Sequence, residues 1–420
     1  TVTSSSDELD FGVEEGYTLE ASSTGITISA KTIFGAMYGL ESLSQLVRYD
    51  AVGDAFHIAN APWAINDWPR FPHRELLVDT GRHFLPVVTL KRLIASLPAA
   101  KINTLHWHLE DDQSWPICLK SLPDLCKGGA FGPNERYSVS DVKHIVSFAR
   151  DHGVRVVPEI DLPGHTKAVC QARPDLCVRS GEMISPAGSQ TMEVLHLVMQ
   201  EVAELFPDSY IHLGGDEVNV NIWEKDPATL KWMGQHQMNG KYIYAFFVKT
   251  AHEVAIKLGK NPVGWSEIWA EFGTSLDQRS VLHKWRHEDS IADIVSNGYH
   301  ALWSDYNSWY LDILDSTWDK MYMSEPCEGL DEEQCKLVIG GGGEMWGETA
   351  DTSDILQTVW PRLGAIGERL WSRRAHTTSP PGYRMAQLRC LLNRRGIAAA
   401  PVLNRVARSA PPGPGACDAQ

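Results

Sequence analysis

Short apolar segments alternate with amphipathic segments along most of the chain, from residue 74 onward. Between the apolar segments, hydrophobic residues recur at helical spacing, and Ser138 and Gly153 are suited to begin and end one such helix. Segments rich in β-branched and aromatic residues predict eight buried strands, at 74–80, 102–109, 154–161, 209–215, 261–267, 280–285, 300–306 and 337–346. This order predicts an α/β fold with a parallel sheet.

The number of strand–helix units selects the form of that sheet. Eight units favour a closed (β/α)8 TIM barrel over a doubly wound sheet, because no Gly-rich dinucleotide fingerprint follows the first predicted strand. We assign residues 67–420 to this barrel, including a tail rich in Pro and Gly.

Residues 1–66 follow a different pattern, with two short strands joined by a Thr-Gly turn and then an amphipathic helix. We interpret them as a small α+β domain, and the segment 61–74, rich in Pro and Trp, as the linker to the barrel. Two strands and one helix bury little surface alone. We therefore expect this domain either to pack on the barrel or to be the truncated remainder of a larger domain.

Composition excludes several classes of function. The net charge is −15, and no run of Lys or Arg could follow a phosphate backbone, so nucleic acid is not expected as a partner. No apolar stretch approaches the roughly 20 residues that a membrane span needs. The first residues lack the regions of a signal peptide, so we expect a mature, trimmed or cytosolic chain. Fifteen tryptophans exceed the needs of packing and point toward sugar rings as ligands.

The eight cysteines fall into four pairs of near neighbours. A metal site is not indicated, because no C-x-x-C pair occurs. Four disulfides would imply an oxidising compartment, whereas eight buried free thiols remain the alternative. The predicted bridges are Cys118–Cys126, Cys170–Cys177, Cys327–Cys335 and Cys390–Cys417.

Acidic residues, histidines and tryptophans follow nearly every predicted strand, where a barrel of this type carries its active site. Single acids are commonly helix caps, but caps do not explain acids and tryptophans after nearly every strand. Prominent among these residues are Asp79, Arg82, His106, His108, Asp111, Asp112, Glu159, Asp161, His165, Asp216, Glu217, Trp265, Glu267, Trp285, Trp309, Tyr310, Asp312, Glu344, Trp346 and Glu348.

Three classes of protein fit such a concentration. A glycosidase would use an acid to protonate the leaving oxygen and aromatic walls to hold the sugar. A metal-dependent hydrolase is suggested by His106 and His108, although the middle and last strands lack the further ligands that it requires. A carbohydrate-binding protein without turnover would not need the adjacent acids Asp216 and Glu217.

Several long motifs in one order resemble glycoside hydrolase family 20, the β-N-acetylhexosaminidases. The resemblance covers roughly residues 15–400, including the end of the chain, and residues 1–66 match only a shortened accessory domain. The motifs are F-P-H-R-x-L-L-x-D-T-x-R-H (71–83), H-W-H-L-x-D-D (106–112), E-I-D-L-P-G-H (159–165), H-L-G-G-D-E (212–217) and G-G-E-M-W-G-E…W-P-R-x-x-A-x-x-E-R-L-W (342–371).

The resemblance implies a retaining mechanism in which the substrate's own 2-acetamido oxygen attacks C1 and forms an oxazolinium ion. Glu217 is then the general acid and base, and Asp216 orients the acetamide group and stabilises its developing charge. Tyr310 is expected to hydrogen-bond the acetamide oxygen. These three residues are the predicted catalytic set.

Further residues are assigned to the substrate by the same resemblance. Arg74 is expected to hold ring hydroxyls O3 and O4, and Glu348 with Asp312 to hold O4 and O6; an Asp at position 312 puts the use of anionic substrates in doubt. Arg74 could instead be a structural ion-pair partner, and His212, Trp285 and Trp346 could be core residues. The predicted pocket walls are Trp265, Trp285, Trp309 and Trp346, and the residues predicted to orient the catalytic pair are Asp112, Asp161, His165 and His212.

The presence of both acids for O4 and O6 favours a pocket closed around one terminal sugar, and therefore an exo-enzyme acting on GlcNAc or GalNAc. A disaccharide-releasing enzyme of the lacto-N-biosidase type is the alternative. The resemblance implies no cofactor and no metal, with a glycan as the substrate. A homodimer is a candidate assembly, and we expect a secreted, lysosomal or vacuolar location.

Overall fold

The computed structural model of the protein describes residues 1–50 and 52–402. Its strands are β1 (Tyr17–Ser22), β2 (Gly25–Ala30), β3 (Val47–Asp50), β4 (Ala55–Ile58), β5 (Trp63–Asp67), β6 (His73–Asp79), β7 (Thr104–His108), β8 (Arg155–Glu159), β9 (Tyr210–His212), β10 (Asn261–Trp265), β11 (Val281–Lys284), β12 (Ala301–Trp303) and β13 (Val338–Met345).

The helices connect these strands and cover the outside of the sheet. They are α1 (Ile33–Leu46), α2 (Val87–Ser96), α3 (Pro123–Gly129), α4 (Val139–Asp151), α5 (Lys167–Ala172), α6 (Thr191–Leu205), α7 (Asn221–Lys225), α8 (Pro227–His236), α9 (Gly240–Lys257), α10 (Glu267–Phe272), α11 (Ile291–Ser296), α12 (Tyr306–Trp309), α13 (Trp318–Met323), α14 (Glu332–Leu337), α15 (Ile355–Val359), α16 (Arg362–Trp371) and α17 (Gly382–Arg394). Short 3₁₀ turns occupy Leu97–Ala100, Pro174–Leu176, Gly273–Ser275 and Arg374–His376.

Strands β6 to β13 form a closed parallel barrel in chain order, and β13 pairs with β6 to complete it. Seven of the eight predicted strand segments contain one of these strands, and the first, 74–80, overlaps all of β6 but its first residue, so the predicted (β/α)8 barrel is confirmed. Every residue of β6 and β13 is buried, because helices cover the outer face and side chains fill the interior. The predicted helix start is confirmed too, since Ser138 caps α4 in a reciprocal capping box with Asp141.

The barrel interior contains an apolar cluster and a layer of titratable residues at different heights along its axis. One cluster near the start of the strands is apolar and consists of Val157, Tyr210, Val263, Val281, Leu302 and Ile339. Toward the carboxyl ends the buried inward residues are titratable, and they include Glu75, His106, Glu159, His212, His283 and Glu344. The polar interior therefore lies directly below the end at which barrel enzymes carry their active sites.

The N-terminal residues form a sheet in the order β2-β1-β5, covered by α1, and a separate hairpin of β3 and β4. The predicted strands and helix are confirmed, but the linker prediction for 61–74 is wrong because β5 lies inside it and pairs along β1. This unit packs on the barrel: the Trp371 indole of α16 donates to Asp67 of β5 at 2.9 Å and contacts Tyr38 of α1.

Three of the predicted disulfides are present, Cys118–Cys126, Cys170–Cys177 and Cys327–Cys335. The fourth predicted bridge, Cys390–Cys417, lies outside the described residues because Cys417 falls in 403–420. The three bridges fit an oxidising compartment. Among the described helices, none combines the length and hydropathy that a bilayer crossing demands.

Candidate active site

The turn that follows β9 explains how two consecutive acids can serve one site. Gly214, Gly215 and Glu217 adopt positive φ angles of 59°, 96° and 53°, so strand alternation ends before Asp216. A Cβ on Gly214 would lie 1.8 Å from Asp161 Oδ1, which shows how closely the turn approaches the segment that follows β8. Asp161 also accepts the Gly215 N–H at 3.0 Å and thereby anchors the turn.

The two acids occupy different surroundings. The Asp216 side chain is only 12% exposed, whereas that of Glu217 is 61% exposed. His165 Nε2 lies 3.4 Å from Asp216 Oδ2 and 3.6 Å from Glu217 Oε2, so one imidazole faces both carboxylates. Asp216 Oδ1 is buried and has no hydrogen-bond partner among the described residues. Its capacity to accept a hydrogen bond is therefore unused among the described residues.

Charges at the turn are set by His165. Burial opposes a charged imidazole, but the surrounding carboxylates, Asp216 foremost, together outweigh burial and raise the pKa of His165 far above its ordinary value. Burial likewise works against a charged Asp216, and the His165 charge overcomes it and lowers the pKa of Asp216. Burial together with the Asp216 charge raises the pKa of Asp161 well above its ordinary value. Asp216 is thus the anion of this group, beside a neutral Asp161.

A row of alternating acids and imidazoles supports His165 from below. His165 Nδ1 lies 3.2 Å from Asp111 Oδ1, and Asp111 Oδ2 lies 2.9 Å from His108 Nε2. His108 Nδ1 lies 2.6 Å from Glu159 Oε2, and His212 Nδ1 lies 2.9 Å from Glu159 Oε1. The row fixes the orientation of His165 through side chains that are themselves buried.

Aromatic rings form a pocket beside the two acids. Trp265, Tyr310 and Trp346 are buried in one cluster with Leu77, and Trp285 packs on its edge. The ring centroids of Trp285 and Tyr310 are 6.1 Å apart, and those of Trp265 and Trp346 are 5.8 Å apart. Such walls suit the face of a sugar ring or a small apolar group.

Polar residues occupy the far side of Trp346. Arg82 lies over the Trp346 ring at 5.0 Å and pairs with Asp79 at 3.2 Å and Asp111 at 2.9 Å. Asp312 lies within electrostatic range of Asp79 and of the exposed Glu348, and its buried Oδ1 has no hydrogen-bond partner among the described residues. Burial first, and then Glu348, raise the pKa of Asp312 to about 7.

Arg74 is not part of this site, so its predicted contact with substrate is wrong. It is the second residue of β6 and therefore lies at the opposite end of the barrel from Asp216. Its side chain is fully buried and forms two hydrogen bonds of 2.8 and 2.9 Å with Glu15. The structural ion pair considered as its alternative is what the structure shows.

Trp309 is misplaced by the sequence-based prediction, whereas Asp112 lies close to Asp111 and His165, and its predicted role stays a prediction. Trp309 is fully buried outside the barrel, where its indole donates to the Met321 carbonyl at 2.9 Å. Asp112 accepts from the backbone and side-chain nitrogens of Lys167, at 3.0 and 2.7 Å. Tyr310, the neighbour of Trp309, has the position that was expected.

Four groups of described residues have ligand atoms close enough to hold a metal, and two of these are fully buried, Glu75 with His106 and His283, and His106 with Glu159 and His212. The electrostatics favour ion pairs around His106 instead. Burial disfavours a charged His106, but Glu75 and Glu159 outweigh it and raise the pKa of His106 to about 10. Burial also opposes charge on both acids, yet the histidines hold the pKa values of Glu75 and Glu159 well below their ordinary range. The His106 and His108 pair is therefore accounted for by carboxylates, which disfavours the metallohydrolase alternative.

Comparison with known proteins identifies the family. Residues 71–374 match the glycosyl hydrolase family 20 catalytic domain, and residues 1–46 match a family described as beta-acetyl hexosaminidase like. The chain belongs to glycosyl hydrolase family 20. It is 42% identical to beta-hexosaminidase 1 of Arabidopsis thaliana, over all of this chain and 80% of that protein.

Solved family 20 structures share the fold. A Vibrio harveyi exo-β-N-acetylglucosaminidase, crystallised with N-acetylglucosamine, has a TM-score of 0.84 and 26% identity, over 93% of this chain and 68% of that one. A Flavobacterium johnsoniae chitobiase has a TM-score of 0.80 and 31% identity. The match covers 92% of this chain but only 60% of the chitobiase chain.

Proposed function

We propose that this family 20 protein is an exo-β-N-acetylhexosaminidase that releases terminal β-linked GlcNAc or GalNAc with retention of configuration. The observation that carries the proposal is the difference between the adjacent acids. Asp216 is a buried anion with an oxygen that has no partner among the described residues, and Glu217 is an exposed acid that can reach a leaving group. An enzyme nucleophile is not required when the substrate's acetamide group supplies one.

The reaction takes place in two steps. The acetamide oxygen attacks C1 and forms the oxazolinium ion, the bond from C1 to the glycosidic oxygen breaks, and Glu217 gives its proton to that oxygen. Water then adds to C1 as the oxazolinium ring opens, and its proton returns to Glu217. Asp216 Oδ1 accepts the acetamide N–H throughout and stabilises the positive charge that develops there.

The aromatic pocket orients the acetamide group for this attack. Trp265 and Trp346, with Trp285 at the edge, enclose the methyl group and the sugar face, and Tyr310 donates its hydroxyl proton to the acetamide oxygen. Holding the oxygen near C1 replaces a bimolecular encounter by an intramolecular step.

The polar side of the pocket supports an exo-enzyme. Arg82, which lies over Trp346 between Asp79 and Asp111, takes the contact with ring hydroxyls that had been assigned to Arg74. Asp312 and Glu348 accept from O4 and O6 and close the pocket after one sugar. Release of disaccharides from chito-oligomers would instead favour the lacto-N-biosidase alternative.

The three disulfides support a secreted, lysosomal or vacuolar location. The homodimer stays a prediction.

Hydrolysis of aryl β-GlcNAc by the wild type, D216N and E217Q tests the proposal. We expect E217Q to lower kcat/KM by about 10²- to 10⁴-fold, and less with a dinitrophenyl leaving group, which needs no proton. D216N should lose about 10²- to 10³-fold with either leaving group, because charge stabilisation is lost.

E193Q, at an exposed position on α6, is the matched control and should keep wild-type kinetics. Equal thermal midpoints for the four proteins would exclude misfolding as the cause of the losses. Full activity of D216N would show that the acetamide group is not the nucleophile.

A further inference from the structure

Trp285 differs from the other indoles of the pocket in how it is held. Trp265 and Trp346 are buried, whereas Trp285 is only partly buried and packs on the edge of their cluster. Its indole nitrogen donates a hydrogen bond of 2.7 Å to Glu267 Oε2. Because Trp285 is less completely packed than the two buried indoles, its orientation depends more strongly on this one hydrogen bond.

Glu267 is well placed to hold the indole rigidly. It is the first residue of α10, directly after the end of β10, and is 9% exposed. Its backbone is part of a helix whose next residue, Ile268, is fully buried, so Glu267 cannot shift without disturbing the core. The carboxyl group thus links a fixed part of the barrel to the less constrained wall of the pocket.

The charged groups around Glu267 favour its neutral form. Burial, and then Asp216 on the turn after β9, raise the pKa of Glu267 to about 8. Arg286 opposes this effect, but it is paired with Asp289 at 2.7 Å. Tyr244 of α9 also faces Glu267, and burial together with the Glu267 charge raises the pKa of that phenol well above its ordinary value. At neutral pH Glu267 is therefore an uncharged acceptor that leaves Asp216 as the anion.

We propose that Glu267 is a positioning residue that fixes the Trp285 indole and thereby sets the size limit of the pocket for the substrate's N-acyl group. The inference rests on the proposed function, in which Trp285 encloses the acetamide methyl group. A fixed ring admits acetyl and excludes longer acyl chains, because the pocket cannot widen. A ring released from Glu267 can turn outward, which admits a longer chain and holds the acetyl group less firmly.

The test compares two substitutions of similar length and shape. E267Q keeps an oxygen that accepts the indole N–H, and E267M removes it. Each protein is assayed on aryl β-glycosides of N-acetyl-, N-propionyl- and N-butyryl-glucosamine. We expect E267M to lose about tenfold in kcat/KM on the N-acetyl substrate and to lose at least about fivefold of its preference for acetyl over butyryl. E267Q should stay within about twofold of the wild type in both values, as rescue by a matched acceptor requires.

A second variant, which removes the same hydrogen bond from the Trp285 side, tests the proposal if E267M folds poorly. W285F removes the indole N–H and should lose acyl preference as E267M does. In the double variant, E267M should add less than about twofold to the effect of W285F, because both changes break one interaction. E271Q and E271M are controls on the same helix, at an exposed residue paired with Lys241, and should keep wild-type preference.

Three outcomes would overturn the inference: equal losses in E267Q and E267M, an unchanged acyl preference in folded E267M and W285F, or multiplicative effects in the double variant. If the wild type did not hydrolyse the N-acetyl substrate at all, the proposed function itself would fail. The two failures are therefore distinguishable in one set of assays.

Discussion

The Trp265 indole donates a hydrogen bond of 2.9 Å to Glu159, a fully buried acid that also binds the row of imidazoles below the catalytic pair. The other Glu159 oxygen lies 2.6 Å from His108 Nδ1, and His108 leads through Asp111 to His165. A single carboxylate thus joins a wall of the aromatic pocket to the imidazole that faces Asp216 and Glu217.

We expect E159Q to lose both stability and activity. The variant breaks a buried set of ion pairs, which typically costs about 3–5 kcal/mol of the free energy of unfolding, and it places an amide donor against imidazole N–H groups. Urea unfolding and kcat/KM on aryl β-GlcNAc are the measurements. E204Q, at an exposed position on α6, is the control and should change neither quantity. A wild-type unfolding midpoint for E159Q would contradict this role.

The stability lost in E159Q should depend on pH. Histidines hold the pKa of Glu159 well below its ordinary value. The contribution of charged Glu159 to the free energy of unfolding is therefore fully present above the ordinary pKa, and it is lost as the pH falls through the lowered pKa. The difference in unfolding free energy between wild type and E159Q should therefore narrow toward acid pH. A difference that widened on acidification would show that Glu159 is not held as an anion.

Arg82 and Arg74 should fail in different ways when each is replaced by Met. R74M breaks the buried pair with Glu15 and should cost about 3–5 kcal/mol of unfolding free energy, with KM unchanged while the protein is folded. R82M also leaves the buried acids Asp79 and Asp111 without their partner and should lose stability too, but it should in addition lose about 10- to 100-fold in kcat/KM, as expected for the proposed charged hydrogen bond to substrate. Unfolding curves and KM on one preparation of each variant separate the two roles, and a raised KM in R74M would contradict them.

The barrel could be predicted from the sequence because the pattern that specifies it is local and is repeated eight times. The linker error has the opposite cause. Strand β5 has five residues, and it is a strand only because it pairs with β1, more than forty positions away. A pairing so distant in sequence is not visible in the composition of the segment.

The errors in the predicted site concern which side chain of a motif faces the site, and not which motifs form it. After a strand ends, alternation no longer tells which of two neighbours faces inward, so the sequence does not separate Asp112 from Asp111 or Trp309 from Tyr310. The sequence also offers a correction for Arg74. Arg74 begins the predicted strand 74–80, whereas Arg82 follows that strand, and only the carboxyl ends of barrel strands carry the active site. Glu159 was visible as an acid at a strand end, but its partners come from three other strands and required the structure.

Asp312 should make substrate binding depend on pH near neutrality. Its pKa is raised to about 7, by burial and by Glu348, so it is neutral below that value and charged above it. A charged carboxylate accepts a sugar hydroxyl more strongly, so KM for aryl β-GlcNAc should fall between about pH 6 and pH 8. D312N should show a flat KM over that range, while D315N, at an exposed residue, should follow the wild type. The same trend in D312N would assign the titration to another group.

The turn at Gly214 should not tolerate a side chain. A comparison with Gly259 separates the steric clash at this position from the strain of a positive φ angle. Gly214 and Gly259 both have positive φ angles, 59° and 79°, so alanine at either position should cost about 1–2 kcal/mol of backbone strain. A Cβ at Gly259 meets no atom within 4 Å, whereas a Cβ at Gly214 would lie 1.8 Å from Asp161 Oδ1. G259A should therefore lower only the unfolding free energy, and G214A should also lower kcat, because Asp161 anchors the turn that aims Asp216 and Glu217. Equal kcat values for the two variants would show that the spacing between the turn and Asp161 does not position the catalytic pair.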